Sequence, residues 1–278
     1  MSLVVLSFYH FVNLPDCEQV RTSLLELGRS LELKGMILLA EEGVNATIAG
    51  PREQIDSFHD WFRADPRFEG MQVKESQCPT MPFKRFTVKI KKEIVRSRMD
   101  IAGRCYLEGS HVNPEQWDEL VADPETVVLD IRNDFEVRLG AFKGAVNPGI
   151  EKFSDLAEWT QENLDPKKNR RVAMYCTGGI RCEKTAVWFK QQGFEEVNQL
   201  EGGILNYLKQ SGDASGNWEG DCFVFDHRIA VDANLQATYS PLCCYCQNVL
   251  PELTDDCPHC GRDLSQHNQN YQDFRPEE

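Results

Sequence analysis

The chain has 278 residues, enough for two modest domains and a small appendage. Hydrophobic content of 41% and charged content of 27% are ordinary for a soluble globular protein, and no apolar run approaches the ~18–20 residues of a membrane helix. A net charge of −14 excludes indiscriminate attraction to nucleic acid or anionic membrane, but not a local basic surface.

Residues 1–95 read as a small α+β domain. The run LVVLSFYHFV from Leu3 is expected to be a first strand rather than a signal peptide, because it lacks a basic leader and a small-residue cleavage site. Val20, Leu24, Leu27 and Leu31 step by four, three and four, which is one face of a helix. Met36 to Ala40 reads as a second strand, and a third is expected around Ala46 to Ala49. Pro51 opens a second helix, with Ile55, Phe58 and Phe62 as its core face and Asp65–Pro66 as its end. Met71 to Glu75 reads as a fourth strand. The order βαββαβ is that of a ferredoxin-like split motif.

Lys84 to Lys92 alternates cleanly. Phe86, Val88 and Ile90 point one way, and Arg85, Thr87, Lys89 and Lys91 the other. Arg96, Arg98 and Arg104 continue the positive charge. Two readings stand side by side: an edge strand guarded by cations, or a phosphate-contacting stripe with Arg85, Lys89 and Lys91 as RNA-binding candidates. Nearby aromatics (Phe83, Phe86 and Tyr106) could stack bases or fill core.

A linker at 96–112 leads into a second pattern, 113–217, in which strands and helices alternate. Thr126 to Ile131 is an expected buried strand ending in Asp130 and Arg132. Phe153, Leu156, Ala157, Thr160 and Leu164 outline a helix. Val197 to Leu200 is another strand, and Gly202 opens a helix at Leu205 to Lys209. Such alternation predicts a parallel sheet covered on both faces, with a ligand site at the carboxyl ends of its strands.

The chemistry concentrates in RVAMYCTGGIRCEKTAVWF, from Arg171 to Phe189. An apolar strand ends at Cys176, and a helix begins near Arg181. Between them Thr177, Gly178, Gly179 and Ile180 form a tight loop whose backbone N–H groups can turn inward. Those groups, with the positive end of the helix, favour a thiolate at the rim of the nest. A buried structural cysteine is the plainer alternative. The loop is one residue shorter than that of the cysteine-nucleophile phosphatases, which suits sulfur on cysteine better than phosphate. Asp130 and Arg132 could share this rim, as scaffold or as direct participants. Arg181 either faces an anionic substrate group or pairs with an acid. Cys182, in the first turn of the helix, either packs or acts as a resolving thiol.

Residues 218–264 are cysteine-rich. CFVFDHR from Cys222 looks like a short strand ending in Asp226 and Arg228. Cys243 and Cys246 form one CxxC pair, Cys257 and Cys260 another, with ten residues between the pairs. Four thiolates so placed suit a structural zinc knuckle, with free thiols as the alternative. Cys244 is a spare ligand, and His259 is expected to face solvent. The polar tail, 265–278, is expected to be disordered. Eleven cysteines clustered in this way argue for a reducing, cytoplasmic setting and against a disulfide framework.

Several stretches together resemble one family, the rhodanese-domain tRNA uridine hydroxylases. They are EEGVNATIAG at Glu41, PFKRFTVKIKKEIV at Pro82, LDIRNDFEVRLGAFKGAVNP at Leu129, YCTGGIRCEK at Tyr175, LEGGI at Leu200 and FVFDHR at Phe223. The resemblance implies an N-terminal ferredoxin-like domain, a central rhodanese domain and oxygen-dependent conversion of wobble uridine to 5-hydroxyuridine. The family's essential cysteine falls on Cys176, working as thiolate or persulfide. Molecular oxygen is then a co-substrate and the tRNA anticodon stem loop the partner. No flavin or nicotinamide fingerprint and no iron triad is evident, and no protein partner is indicated. Sulfur transfer from a Cys176 persulfide is the alternative activity.

Overall fold

A computed structural model of the chain describes residues 2–101, 107, 109–212, 216–238, 241–243, 245, 246, 248, 250 and 254–265. Arg104, Tyr106, Cys244 and all of the predicted disordered tail except Ser265 lie outside them. The chain divides into two compact units. One includes Met1–Val95 and Phe225–Arg228, the other Arg96–Val224 and Ile229–Leu264.

The first unit runs β1 (Leu3–Phe11), α1 (Cys17–Ser30), β2 (Lys34–Ala40), β3 (Gly43–Gly50), α2 (Arg52–Arg63), β4 (Val73–Cys78) and β5 (Phe86–Ile90). The sheet order is β4-β1-β3-β2-β5. β1 pairs antiparallel with β3 and β4, and β2 antiparallel with β3, whereas β5 lies parallel to β2 at an edge. The helical face of the sheet is closed by an aromatic cluster. Phe62 packs edge-on against Phe8 at 5.0 Å and Phe68 at 4.9 Å, and Phe58 lies 6.2 Å from Phe86. Ile55, Phe58 and Phe62 are all buried, as their helical spacing requires. Helix α1 approaches β5 so closely that a side chain at Gly28 would sit 2.2 Å from the Phe86 ring. The fourth strand starts at Val73 instead of Met71. Gly70, at φ 76°, is still turning the chain after the Pro66–Phe68 turn, and the Met71 N–H is held by the Phe68 carbonyl at 3.1 Å.

The second unit runs β6 (His111–Val112), α3 (Pro114–Ala122), β7 (Thr126–Asp130), α4 (Asp134–Val137), β8 (Gly140–Phe142), α5 (Leu156–Asn163), β9 (Arg171–Tyr175), α6 (Ile180–Gln191), β10 (Glu196–Leu200), α7 (Gly203–Ser211), β11 (Trp218–Gly220), β12 (Cys222–Phe223) and β13 (Ala230–Val231). Strands β6-β10-β9-β7 form a sheet in which every pairing is parallel. Every residue from Val172 to Cys176 is buried, so the central strand is covered on both faces. One layer is α3 and α7, where Phe142 collects Tyr175, Tyr207 and Trp218 at 4.8–5.1 Å. β8 pairs with β11 and β12 with β13, both antiparallel. The cysteine-rich segment therefore opens on a strand.

An Asp-x-Arg clamp recurs three times. In each, the aspartate accepts from the backbone N–H two residues on and from the same arginine's guanidinium. Asp65 and Arg67 make a half-exposed copy, and Asp226 and Arg228 a buried one that also reaches Ser76 Oγ at 2.7 Å. Asp130 and Arg132 make the third, with no exposure on either side chain. Arg132 Nη2 donates to Asp130 Oδ2 and to the Gly140 carbonyl, each at 2.6 Å, and its cation lies 5.7 and 5.5 Å from the Tyr175 and Trp218 rings. This clamp ties the end of β7 to β8. Asp130→Ala strips a buried arginine of its partner, and a loss of about 3–5 kcal/mol is expected in the denaturation transition of the second unit. A loss under about 1 kcal/mol would show that Arg132 is not held by this pair.

Candidate active site

Cys176 follows the last residue of β9, and the turn to α6 is completed within four residues. Gly179, at φ 97°, lets the chain reverse there, and its N–H donates to Cys176 Sγ at 3.1 Å. The Arg181 N–H points at the same sulfur. The loop carbonyls face the other way. Those of Cys176 and Thr177 accept from the Ile204 and Leu205 N–H groups at 3.0 and 3.1 Å. The free N–H groups opening α7 are thus satisfied by the loop, and the loop's own N–H groups are left to the sulfur. This docking needs Gly203, at φ 68°. A Cβ there would meet the Cys176 carbonyl at 2.4 Å and Gly179 N at 2.8 Å.

Glu136 organises the charged groups. It has no exposure, and its carboxylate accepts from Arg181 Nη1 at 2.6 Å, Arg181 Nη2 at 2.7 Å, Thr177 Oγ1 at 3.2 Å and the Asn133 N–H at 3.1 Å. Arg181 therefore pairs with an acid, and the two-pronged contact fixes its plane. Arg132 stands behind, with Nη1 3.4 Å from the Glu136 carbonyl. Burial raises the Glu136 carboxyl, but Arg181 and then Arg132 outweigh it and hold it below the usual range.

Cys176 and Cys182 both have no exposed surface, so the sulfur expected at a rim lies inside a closed nest. Burial pushes the Cys176 thiol up. A hydrogen bond from Cys182, the Arg181 charge and the Arg181 and Gly179 N–H groups outweigh it and bring it to about 5. Cys182 moves the opposite way, raised by burial and then by the neighbouring sulfur. Behind α6, buried Glu183 meets His111 Nε2 at 3.0 Å and Gln199 Nε2 at 3.3 Å, which anchors the helix's first turn to β6 and β10.

Thr177, Arg181 and Cys182 thus gather at Cys176, whereas the Asp130–Arg132 clamp stands behind Glu136 and touches the Tyr175 and Trp218 rings in place of the sulfur. The spacing argument missed Glu136 and Gly203. Asn133-Asp134-Phe135-Glu136 carries an Asn-x-x-Glu capping pattern that marks a short helix start, and so could have pointed to Glu136. The basic candidates belong to the other unit. Arg85, Lys89 and Lys91 are exposed along edge strand β5, while Val88 is buried on the opposite face.

Cys243, Cys246, Cys257 and Cys260 form a second cluster, with all four sulfurs within 4.8 Å of one another. Cys243–Cys260 and Cys246–Cys257 are each 3.7 Å apart. A tetrahedral ion with ~2.3 Å bonds to sulfur needs about 3.8 Å between sulfurs, so the tetrad can hold a metal. The Tyr245 and Cys246 N–H groups donate to Cys243 Sγ at 3.4 Å, and that of His259 to Cys257 Sγ at 3.4 Å. His259 itself is exposed and stands outside the tetrad.

Residues 3–94 match the UPF0176 acylphosphatase like domain and residues 113–210 the rhodanese-like domain. A tRNA uridine(34) hydroxylase of Wolbachia pipientis wMel is 46% identical over 251 residues, 89% of this chain and 90% of that protein. Among solved structures, the rhodanese-like domain of an Anabaena protein is 21% identical, covering 40% of this chain and 79% of its own, with a TM-score of 0.33. An acylphosphatase from Coxiella burnetii is 16% identical, covering 32% of this chain and 93% of its own, with a TM-score of 0.25. On the near-full-length identity to the Wolbachia protein, this chain belongs to the tRNA uridine(34) hydroxylase family.

Proposed function

We propose that this protein hydroxylates the wobble uridine of tRNA to 5-hydroxyuridine with molecular oxygen, and that Cys176 is the residue that meets the base. The observation that carries this reading is the 46% identity across both units to a tRNA uridine(34) hydroxylase. The loop alone would support sulfur carriage on a Cys176 persulfide equally well, and the match over the first unit weighs towards tRNA.

The chemistry suits a thiolate. Addition of the Cys176 sulfur to C6 of uracil moves electron density to C5, where oxygen must arrive. Arg181, fixed by Glu136, keeps positive charge beside the sulfur. Because Cys176 has no exposed surface, the nest must open before a splayed-out base can enter. Arg85, Lys89 and Lys91 are proposed to contact the phosphates of the anticodon stem loop. The cysteine tetrad is proposed to hold a structural zinc, since its closed set of thiolates leaves no open coordination position. Among the described residues no helix is long and apolar enough to cross a membrane. A cytoplasmic location is proposed with the tRNA substrate.

Three outcomes follow. In cells lacking the protein, nucleoside mass spectrometry of tRNA should show 5-hydroxyuridine derivatives lost, restored by wild type and not by Cys176→Ala; restoration by the variant would remove Cys176 from the reaction. Charge reversal at Arg85, Lys89 and Lys91 should weaken tRNA binding and lower its salt slope by about 0.7–0.9 per lost phosphate contact. An unchanged slope would leave these residues as edge protection. Elemental analysis should find one zinc per chain, absent after Cys257→Ser, and a metal-free wild-type protein would contradict the knuckle.

A further inference from the structure

We infer that Cys182 is the second thiol of the reaction: with Cys176 it supplies the two electrons that hydroxylation takes from outside the substrate, and the pair ends each turnover as a disulfide. The inference rests on the hydroxylase reading above and goes on to name the electron donor.

The geometry is that of a pair. Both cysteines are free thiols without exposed surface. Gly179 joins them: its N–H donates to Cys176 Sγ at 3.1 Å, and its carbonyl accepts from the Cys182 N–H at 3.0 Å. This places Cys182 in the first turn of α6, one hydrogen-bonded glycine away from Cys176, where each sulfur shifts the other's ionisation. Burial keeps Cys182 protonated while its neighbour is ionised. One sulfur is therefore ready as nucleophile, and the other is held beside it as thiol. Solvent is excluded from both, which protects a sulfenic acid from further oxidation until its neighbour condenses with it.

The electrons balance. Replacing the C5 hydrogen of uridine by hydroxyl with dioxygen requires two further electrons and two protons, and the second oxygen leaves as water. The Cys176 thiolate adds to C6, and the electron pair at C5 forms a bond to dioxygen. Loss of the C5 proton and departure of Cys176 from C6 restore the ring double bond and leave a 5-hydroperoxide. The thiolate then attacks the distal oxygen. The O–O bond breaks, an S–O bond forms, and 5-hydroxyuridine leaves after taking up a proton. Cys182 attacks the resulting sulfenic sulfur, so an S–S bond forms and water departs with the oxygen. The sum is uridine, dioxygen and two thiols giving 5-hydroxyuridine, one disulfide and water. An external dithiol reductant returns the pair to its starting state by exchange.

The test is a single turnover of the full chain. Protein is reduced, freed of reductant and mixed in air with a tRNA transcript carrying unmodified uridine 34, then acid-quenched and thiol-blocked. Mass spectrometry should find 5-hydroxyuridine and the Cys176–Cys182 disulfide in equal amounts, and neither should form without oxygen. In Cys182→Ser, the Cys176 sulfenic acid should be trapped in place of the disulfide. Product formed by wild type with both cysteines still free would overturn the inference, as would a disulfide forming equally fast in air without tRNA. These wild-type readouts do not depend on the variant folding. If wild type forms no 5-hydroxyuridine at all, the hydroxylase reading fails and this inference falls with it.

Discussion

The site depends on the contact between Arg181 and Glu136. Two buried charges cost several kcal/mol each to desolvate, and their attraction offsets this only with good geometry and further hydrogen bonds. Here the geometry is two-pronged, and the remaining carboxylate positions are filled by Thr177 and the Asn133 N–H. Such a pair contributes orientation more than net stability. It holds the loop hydroxyl and the guanidinium on one carboxylate near the sulfur, and so ties α6 to α4.

Around that contact the charges nearly cancel. Arg132 faces Asp130, and Arg181 faces Glu136. The Cys176 thiolate is then an extra negative charge beside these pairs. Its stabilisation comes from the Gly179 and Arg181 N–H groups, the Cys182 thiol and the nearby Arg181 charge. Helix α7 makes this possible by taking up the loop carbonyls, which would otherwise compete for the inward-facing side of the turn. Gly203 is therefore as much a part of the site as Gly179, although it touches neither the sulfur nor a charge.

Much of this was legible in the amino-acid sequence, for physical reasons that also explain what was not. The strand ending at Cys176 shows in an apolar run closed by two glycines, and α2 in the spacing of Ile55, Phe58 and Phe62. Both are local signals. The Arg181 partner is not local: Glu136 lies forty-five positions earlier, in a four-residue helix too short to carry a periodic pattern. The two- and three-residue strands β8, β11 and β13 escaped for the same reason, and the strand expected from Cys222 is only the two residues of β12, because Asp226 and Arg228 close a clamp instead of extending it. The start of β4 was misplaced because Met71 has strand-like chemistry but is held in a turn by the Phe68 carbonyl. Enclosure of Cys176 was hidden as well, since it depends on how α7 docks and not on the loop's own residues.

The most direct test of this account is a thiolate titration. The ultraviolet absorbance of wild type minus that of Cys176→Ser, followed against pH, isolates one sulfur among eleven and does not require a reagent to enter the closed nest. A group whose folded value lies at about 5 is ionised through the neutral range and loses its signal only as the pH falls through that value. A midpoint near the ordinary thiol value of about 8.5 would show that burial wins and that the nest does not make a thiolate.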